Sequence, residues 1–329
     1  MTEEKTKKHR KFDVIIGNPP YQETDGGAGA SATPLYNKMI DSTKKLDPNI
    51  MSYIIPAKWY SGGKGLNSFR EEMLNDHHIV SLEDYSDSRD VFPNVDIAGG
   101  VCFFIRDKNY SGKCKYTNHF KTKTITQMRD LSATDTFIRY PLAAEIVEKA
   151  NKLKEKTLYD LVCVRKPFGL PSSARPIENG DIILRYHGGK GSYLRSKVSA
   201  GQTMIDQWKI IISKLTAEHA GQPDKNGQFR VLSTLEELKP QEVCSETYLV
   251  AGAFDTKNEA DNYMAYLKTK FVRFLIHQIA ITQNLSRSTF KYVPCQDFKQ
   301  TWSDEKLFDK YNLTDDEIAF INKEIKEMK

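Results

Sequence analysis

The residues with the plainest chemical promise are Asn18, Pro19, Pro20 and Tyr21, in the segment KFDVIIGNPPYQETD. An exocyclic amino group on a nucleobase is a weak nucleophile, because its lone pair is delocalised into the ring. Two acceptors aimed at its two protons raise electron density on the nitrogen and hold it in line with a methyl donor, without a general base of shifted pKa. An asparagine side-chain oxygen plus the backbone carbonyl of a rigid proline meets that need. Tyr21 adds a flat ring for stacking an extruded base, a contact of about 1 to 3 kcal/mol. The bland alternative is a strand ending in an Asn-Pro turn. Placement directly after a β-forming run and a glycine favours the chemical reading.

Elements must hold these groups in place. Two consecutive prolines cannot donate to a sheet ladder, so a buried strand over residues 12–17 must stop where the motif starts. A polar glycine-rich loop follows, then a helix from about Pro34 to Leu46 with Leu35, Met39 and Ile40 at helical spacing. IMSYIIP reads as a second buried strand, LNSFREEMLND as a helix, IVSLEDYS as a strand, and AGGVCFFIRDK as a long apolar strand closing this half. Strands alternating with helices predict a layered α/β sheet. Beyond about Lys123 the character changes. The helical segment YPLAAEIVEKANKLKEK leads into short strands, turns and basic clusters, and the domain boundary is placed in it. Thr314 and Glu317 predict a capping box for a last helix with Ile318, Ile321 and Ile325 on one face.

Composition bounds the class. A chain of 329 residues, 39% hydrophobic and 28% charged, is that of a globular protein of two domains. No apolar run approaches the roughly 20 residues that span a bilayer. The charged start MTEEKTKKHR has no signal-peptide core, so a cytoplasmic location is expected. Five cysteines without a CxxC pair point to neither a disulfide framework nor zinc. Pro223 and Asp224 with Glu237 and Lys239 fit a short metal-nuclease pattern, but such a charged chain meets it by chance, and no metal is expected. His77 and His78 read as a surface turn, and Trp59 as core.

The net charge of +5 is mild, so the placement of charge matters more. Between Arg185 and Lys214 stand six basic residues, Arg185, Lys190, Arg195, Lys197, Lys209 and Lys214, against Asp206 alone, with Tyr186, Tyr193 and Trp208 interleaved. Basic side chains on glycine-rich turns reach phosphates, and arginine can read guanine edges. Lys64 and Lys190, each within a GGKG tetrapeptide, are the first candidates for phosphate contact, and Arg287 and Lys291 in ITQNLSRSTFKYVP are further ones. A charge run can equally be a solvated face.

FDVIIGNPPYQ resembles motif IV of the amino-methyltransferases. The text after it continues a resemblance to the γ-class DNA adenine-N6 methyltransferases of type II, type IIG-like, restriction-modification systems. PLYNKMIDSTKKL resembles the next helix, IMSYIIPAKW the following strand, and DVFPNVDIAGGVCFFIR the late motif whose aromatic residue, here Phe92, packs on the flipped adenine. The tail from YVPCQDFKQTW resembles the tails of such enzymes. The resemblance implies S-adenosylmethionine as methyl donor, Leu35 as a cofactor contact and double-stranded DNA as substrate. It also implies a glycine-rich cofactor half before the Asn-Pro-Pro-Tyr motif, which only 17 residues precede. Gly27, Gly29 and Ala32, with Asp47 downstream, match G-x-G-x-x-A, but they lie too far from the strand end for a tight phosphate turn and read better as a target-base loop. The expected fold is therefore α/β: the second half of a Rossmann-like methyltransferase sheet over residues 1–125, a linking helix over 126–153, and an α+β target-recognition domain over 154–329. Its first strand would be left with an unpaired edge, completed by a separate N-terminal half or left bare in a truncated remnant. The alternative of another class is a non-catalytic DNA-binding specificity module. Protein-glutamine methylation uses the same tetrapeptide, but the long basic second half argues against it. For cytosine-N4 methylation, serine is the commoner first residue.

Overall fold

The computed structural model describes residues 12–23, 33–62, 65–97, 99–120, 123–218, 223–280 and 284–328. The chain divides into two compact units, Met1–Pro141 and Leu142–Lys329.

In the first unit, β1 (Val14–Gly17), β2 (Ile50–Pro56), β3 (Ile79–Tyr85), β4 (Val101–Asp107), β5 (Cys114–Phe120) and β6 (Lys123–Arg129) form one sheet in the order β1-β2-β4-β3-β5-β6. It is mixed: β1 runs parallel to β2 and β3 parallel to β5, and the other pairs are antiparallel. α1 (Tyr36–Lys44) and α2 (Asn67–Leu74) supply Tyr36, Ile40, Phe69 and Met73 to the core, with Trp59 and Tyr60 from the turn after β2. Inward-facing Tyr53 and Phe104 stack at 6.3 Å, and the Tyr53 hydroxyl meets Thr43 Oγ1 at 2.7 Å. Trp59 is core, as its sequence context suggests.

Several sequence expectations change here. Residues 12–17 are not a buried strand. β1 is the terminal strand of the sheet, with Val14 51% and Ile16 78% exposed. In α1 the buried face is Tyr36, Ile40 and Thr43, while Met39 is exposed. The apolar strand β4 does not close the unit; it lies mid-sheet between β2 and β3, and β5 and β6 extend the sheet beyond β3. The linking helix is shorter than expected: residues 126–129 belong to β6, and α3 (Pro141–Lys152) carries the helix.

The second unit holds two three-stranded sheets. β7 (Ile182–Tyr186) lies between β8 (Gly189–Tyr193) and β11 (Glu242–Cys244), while β9 (Trp208–Ser213) lies between β10 (Leu235–Leu238) and β12 (Tyr248–Phe254). Leu184, Ile205, Ile211, Leu238, Val243 and Val250 join them in one core. α4 (Lys257–Lys268) packs on β9 and β12, and the Tyr263 hydroxyl donates to Ala251 O at 2.9 Å. α5 (Lys270–Ile279), α6 (Asp304–Lys310) and α7 (Asp315–Glu324) follow. The expected Thr314–Glu317 capping box is present, and Glu317 also meets Lys149 Nζ at 2.6 Å, tying the start of α7 to α3.

His277 on α5 stacks on Phe229 at 4.0 Å, and burial pushes its pKa down to about 4. The unfolded chain therefore takes up a proton near pH 6.5 that the folded chain refuses, and stability falls as pH drops from about 6.5 towards 4. At pH 5.5 the loss should be about 1.4 kcal/mol relative to pH 8. Urea unfolding at both pH values checks this. His277→Leu should remove that pH-dependent difference, and an unchanged difference would refute the assignment.

Candidate active site

Gly17 is in register with Tyr53 of β2, and a Cβ on Gly17 would stand 2.5 Å from the Tyr53 ring. Only glycine lets the chain pass that ring into Asn18. Pro19 is buried, while Asn18 and Pro20 are exposed. The motif is thus anchored through one proline, and the Asn18 amide faces outward. Tyr21 is half-buried, and burial, followed by the nearby Cys102, raises its hydroxyl pKa, so the ring stays neutral. The strand exit is held by a short antiparallel neck: Leu35 N donates to Tyr21 O at 3.3 Å and Glu23 N to Thr33 O at 3.0 Å. Gly27, Gly29 and Ala32, the loop beyond that neck, lie outside the described residues.

Phe92 lies in the segment joining β3 to β4. The C-terminal ends of β1 and β3 and the start of β4 share one end of the sheet, so the Asn18 motif and the Phe92 loop emerge on the same side. Ligands of open α/β sheets bind at such carboxyl ends. Buried Ser88 organises this loop: its hydroxyl donates to Val95 O at 2.7 Å and accepts from Ile97 N at 2.8 Å, and its carbonyl accepts from Phe92 N at 2.8 Å. Gly100 is required at the far end, since a Cβ there would meet Tyr85 O at 2.0 Å in a left-handed backbone with φ of 76°.

Beneath the loop lies a polar network that sequence reasoning missed. Asp84, fully buried, accepts from Tyr116 Oη at 2.8 Å and Asn118 Nδ2 at 3.0 Å, and pairs with Arg139 at 3.1 Å. Arg139 also donates to Gly99 O, fixing the base of the Phe92 loop. Cys102 accepts from Trp59 Nε1 at 3.3 Å; burial and then Asp84 push its thiol up to about 12, so it is no thiolate nucleophile. The alternation of IVSLEDYS could have marked Asp84, since it shares the inward parity of Leu82.

The basic candidates are mostly engaged inside the second unit. Arg185 donates to Glu236 at 2.8 Å and lies 4.9 Å over the Tyr248 ring. Lys190 pairs with Glu236 at 3.3 Å and Glu242 at 3.0 Å, and Arg195 holds Asp206 in a two-point contact at 2.8 and 2.6 Å. Arg287 donates to Tyr159 O, and Lys291 lies over the Tyr292 ring at 4.9 Å. Lys197 is exposed. Lys209, counted in the basic cluster, is turned inward: its Nζ donates to Ile205 O, Gln207 O and Lys239 O, and burial lowers its pKa to about 8. Lys64 lies outside the described residues. The nuclease-like set is dispersed, with Asp224 paired to Lys326 and Glu237 to Lys257. Among the described residues no three His, Cys, Asp or Glu side chains cluster as a metal site, and no helix is long and apolar enough to cross a membrane.

The sheet presents Asn-Pro-Pro-Tyr at the carboxyl end of β1. Residues 2–92 match the family model described as Eco57I restriction-modification methylase. The chain is also 34% identical over 131 residues to a protein of Mycoplasma pneumoniae named as an uncharacterized adenine-specific methylase, covering 39% of this chain. The chain spans 31% of that relative's length. Among solved structures it is similar to the type IIL restriction-modification enzyme MmeI in complex with DNA (TM-score 0.44, 10% identity, 85% of this chain and 46% of that one). It is also similar to the type IIG restriction endonuclease BpuSI (TM-score 0.35, 10% identity, 95% and 54%). A third is the type I methyltransferase subunit from Streptococcus thermophilus (TM-score 0.27, 18% identity, 39% and 31%). Overlaps at these scores fix no detail of the site.

The expected methyl donor is S-adenosylmethionine. The described residues do not make a full site for it. Leu35 at the head of α1 is half-buried, and Asn37 Oδ1 and Asp41 Oδ1 are buried acceptors without a hydrogen-bond partner, one edge of a polar ligand's surroundings at most. No glycine-rich strand-to-helix turn stands beside them among the described residues.

Proposed function

We propose that this chain is the catalytic-motif and DNA-recognition part of a site-specific DNA adenine-N6 methyltransferase of γ-class type, acting in the cytoplasm with a complementing α/β half that holds S-adenosylmethionine. The observation that carries this is the Asn18–Tyr21 motif at the carboxyl end of β1, inside the segment matching restriction-modification methylases. In this reading the Asn18 side-chain oxygen and a motif proline carbonyl accept from the adenine amino group, while Tyr21 and Phe92 stack the flipped ring. The Ser88-bound loop and the Asp84–Arg139 network hold Phe92 in place. The residues from Leu142 onward serve as the target-recognition domain. β1 is the terminal strand among the described residues, with Val14 and Ile16 exposed, and this favours a partner strand beside it, since an exposed apolar edge otherwise invites aggregation.

The test is reconstitution. Combined with an α/β cofactor half, in one chain or as a complex, this chain should bind S-adenosylmethionine and label adenine in duplex DNA. The chain alone should bind the cofactor weakly or not at all by calorimetric titration. A complex that binds cofactor and DNA but never labels adenine would leave a non-catalytic specificity module as the better reading.

A further inference from the structure

In the second unit, one buried carboxylate is shared by several cations. Several exposed cations of the second unit meet acids at close range: Arg195 on Asp206 at 2.6 Å, Lys326 on Asp224 at 2.9 Å, and Lys257 between Glu237 and Asp261. At Glu246 the cations outnumber the acid. Arg165 Nε and Lys166 Nζ both stand 3.5 Å from Glu246 Oε2, which accepts no hydrogen bond. Lys214, bonded through its backbone N to Thr247 O, acts on the same carboxylate. Burial works against its charge, yet Arg165 and Lys166 hold the Glu246 carboxyl below its ordinary pKa. One buried acid therefore sits among three cations and leaves a net positive surface. Arg165 Nη2 also donates to Glu246 Oε1 at 3.5 Å, yet Arg165 and Lys166 remain 71% and 48% exposed, with room for their charged heads to meet a further anion.

The backbone keeps these side chains in place. Residues 165–169 form a tight turn, with Lys166 in the left-handed region at φ of 60° and Gly169 at 72°, closed by Gly169 N donating to Lys166 O at 2.9 Å. A left-handed lysine is strained, and such residues collect where geometry serves function. The turn packs on residues 199–201: a Cβ on Gly169 would stand 1.9 Å from Ser199 Oγ, and one on Gly201 2.4 Å from Pro167 O. Exposed Lys197 lies two residues before that partner turn, which extends the positive surface. Two rigid turns, a buried carboxylate at their base and unneutralised cations at their crest suit a repeating polyanion more than a single acidic side chain.

We propose that the 165–169 turn, with Arg165 and Lys166 set on Glu246 beside Lys214, is a phosphate-contacting surface for duplex DNA. The proposal rests on the DNA reading above and names where in the second unit the backbone is gripped. Such contacts position the duplex and carry no sequence information.

The experiment is a salt series of anisotropy titrations with a labelled duplex of arbitrary sequence and the full chain. Arg165→Ala/Lys166→Ala should make the slope of log affinity against log salt shallower by about 1.8, about 0.9 for each phosphate contact. Between about 50 and 200 mM salt, the parent's affinity should then fall about tenfold more than the variant's. Arg165→Lys/Lys166→Arg should restore the parent slope, and Lys257→Ala should leave it unchanged. If the double variant unfolds, Arg165→Gln alone should still show a slope change of about 0.9. A steeply salt-dependent parent whose slope the Arg165 and Lys166 variants do not alter would overturn the inference and leave the DNA reading intact. A parent that binds no duplex even at low salt would overturn both.

Discussion

In the complex completed by its cofactor half, Asn18→Ala is expected to slow methyl transfer by at least about 10² to 10³-fold, the cost of removing one preorganised hydrogen-bond partner aimed at developing charge. The reason is geometric. The Asn18 amide is exposed and makes no hydrogen bond to the described residues, so its removal costs the fold little and the reaction a great deal. Affinity for duplex should barely change, because the base pocket and the basic surface are untouched. Single-turnover transfer of labelled methyl groups, beside anisotropy titration of the same variant, separates the two quantities. Tyr21→Ala and Phe92→Ala should differ in kind, weakening capture of the extruded base, which the fluorescence of 2-aminopurine at the target position reports. An Asn18→Ala complex as active as the parent would end the proposed mechanism.

Asp84→Ala should destabilise the first unit by about 3 to 5 kcal/mol, the usual cost of leaving one member of a buried pair without its partner. The change strands the Arg139 guanidinium, only 14% exposed, and removes the acceptor shared by the buried Tyr116 and Asn118. The double replacement Asp84→Leu/Arg139→Met should be less destabilising than Asp84→Ala alone, because an apolar pair leaves no orphaned charge. Urea unfolding of the three variants measures this. A loss under about 1 kcal/mol for Asp84→Ala would show that water reaches the pair.

Legibility from sequence followed the range of the interaction. The strand stop at Pro19, the cap formed by Thr314 and Glu317, and the coreward Trp59 depend on neighbours in the chain or on one side chain's aversion to water. The candidate acceptor Asn18 was legible because its chemistry needs an amide and rigid prolines in sequence. By contrast, Lys209 reads as a cation for phosphate until the carbonyls of Ile205, Gln207 and Lys239 are seen to enclose it. Arg185 reads as a base-reading arginine until Glu236, fifty-one residues away, takes its Nε proton as a hydrogen bond.

By itself, then, the sequence determined the strand stop at Pro19, the capped start of the last helix and the alternation of strands and helices in the first unit, and it named Asn18 to Tyr21 as the candidate motif. An apolar run reports only that its residues avoid water, not what covers them. Tertiary structure decided the rest: among the described strands β1 became terminal, β4 moved to mid-sheet, and Asp84 met Arg139 under the Phe92 loop. It also decided that Arg165 and Lys166 share one buried carboxylate while Lys190 has two acids to itself or in common with Arg185. Charges placed far apart along the chain find their partners only when the backbone closes, because Coulomb attraction depends on distance in space and on burial, neither of which is written in the order of residues.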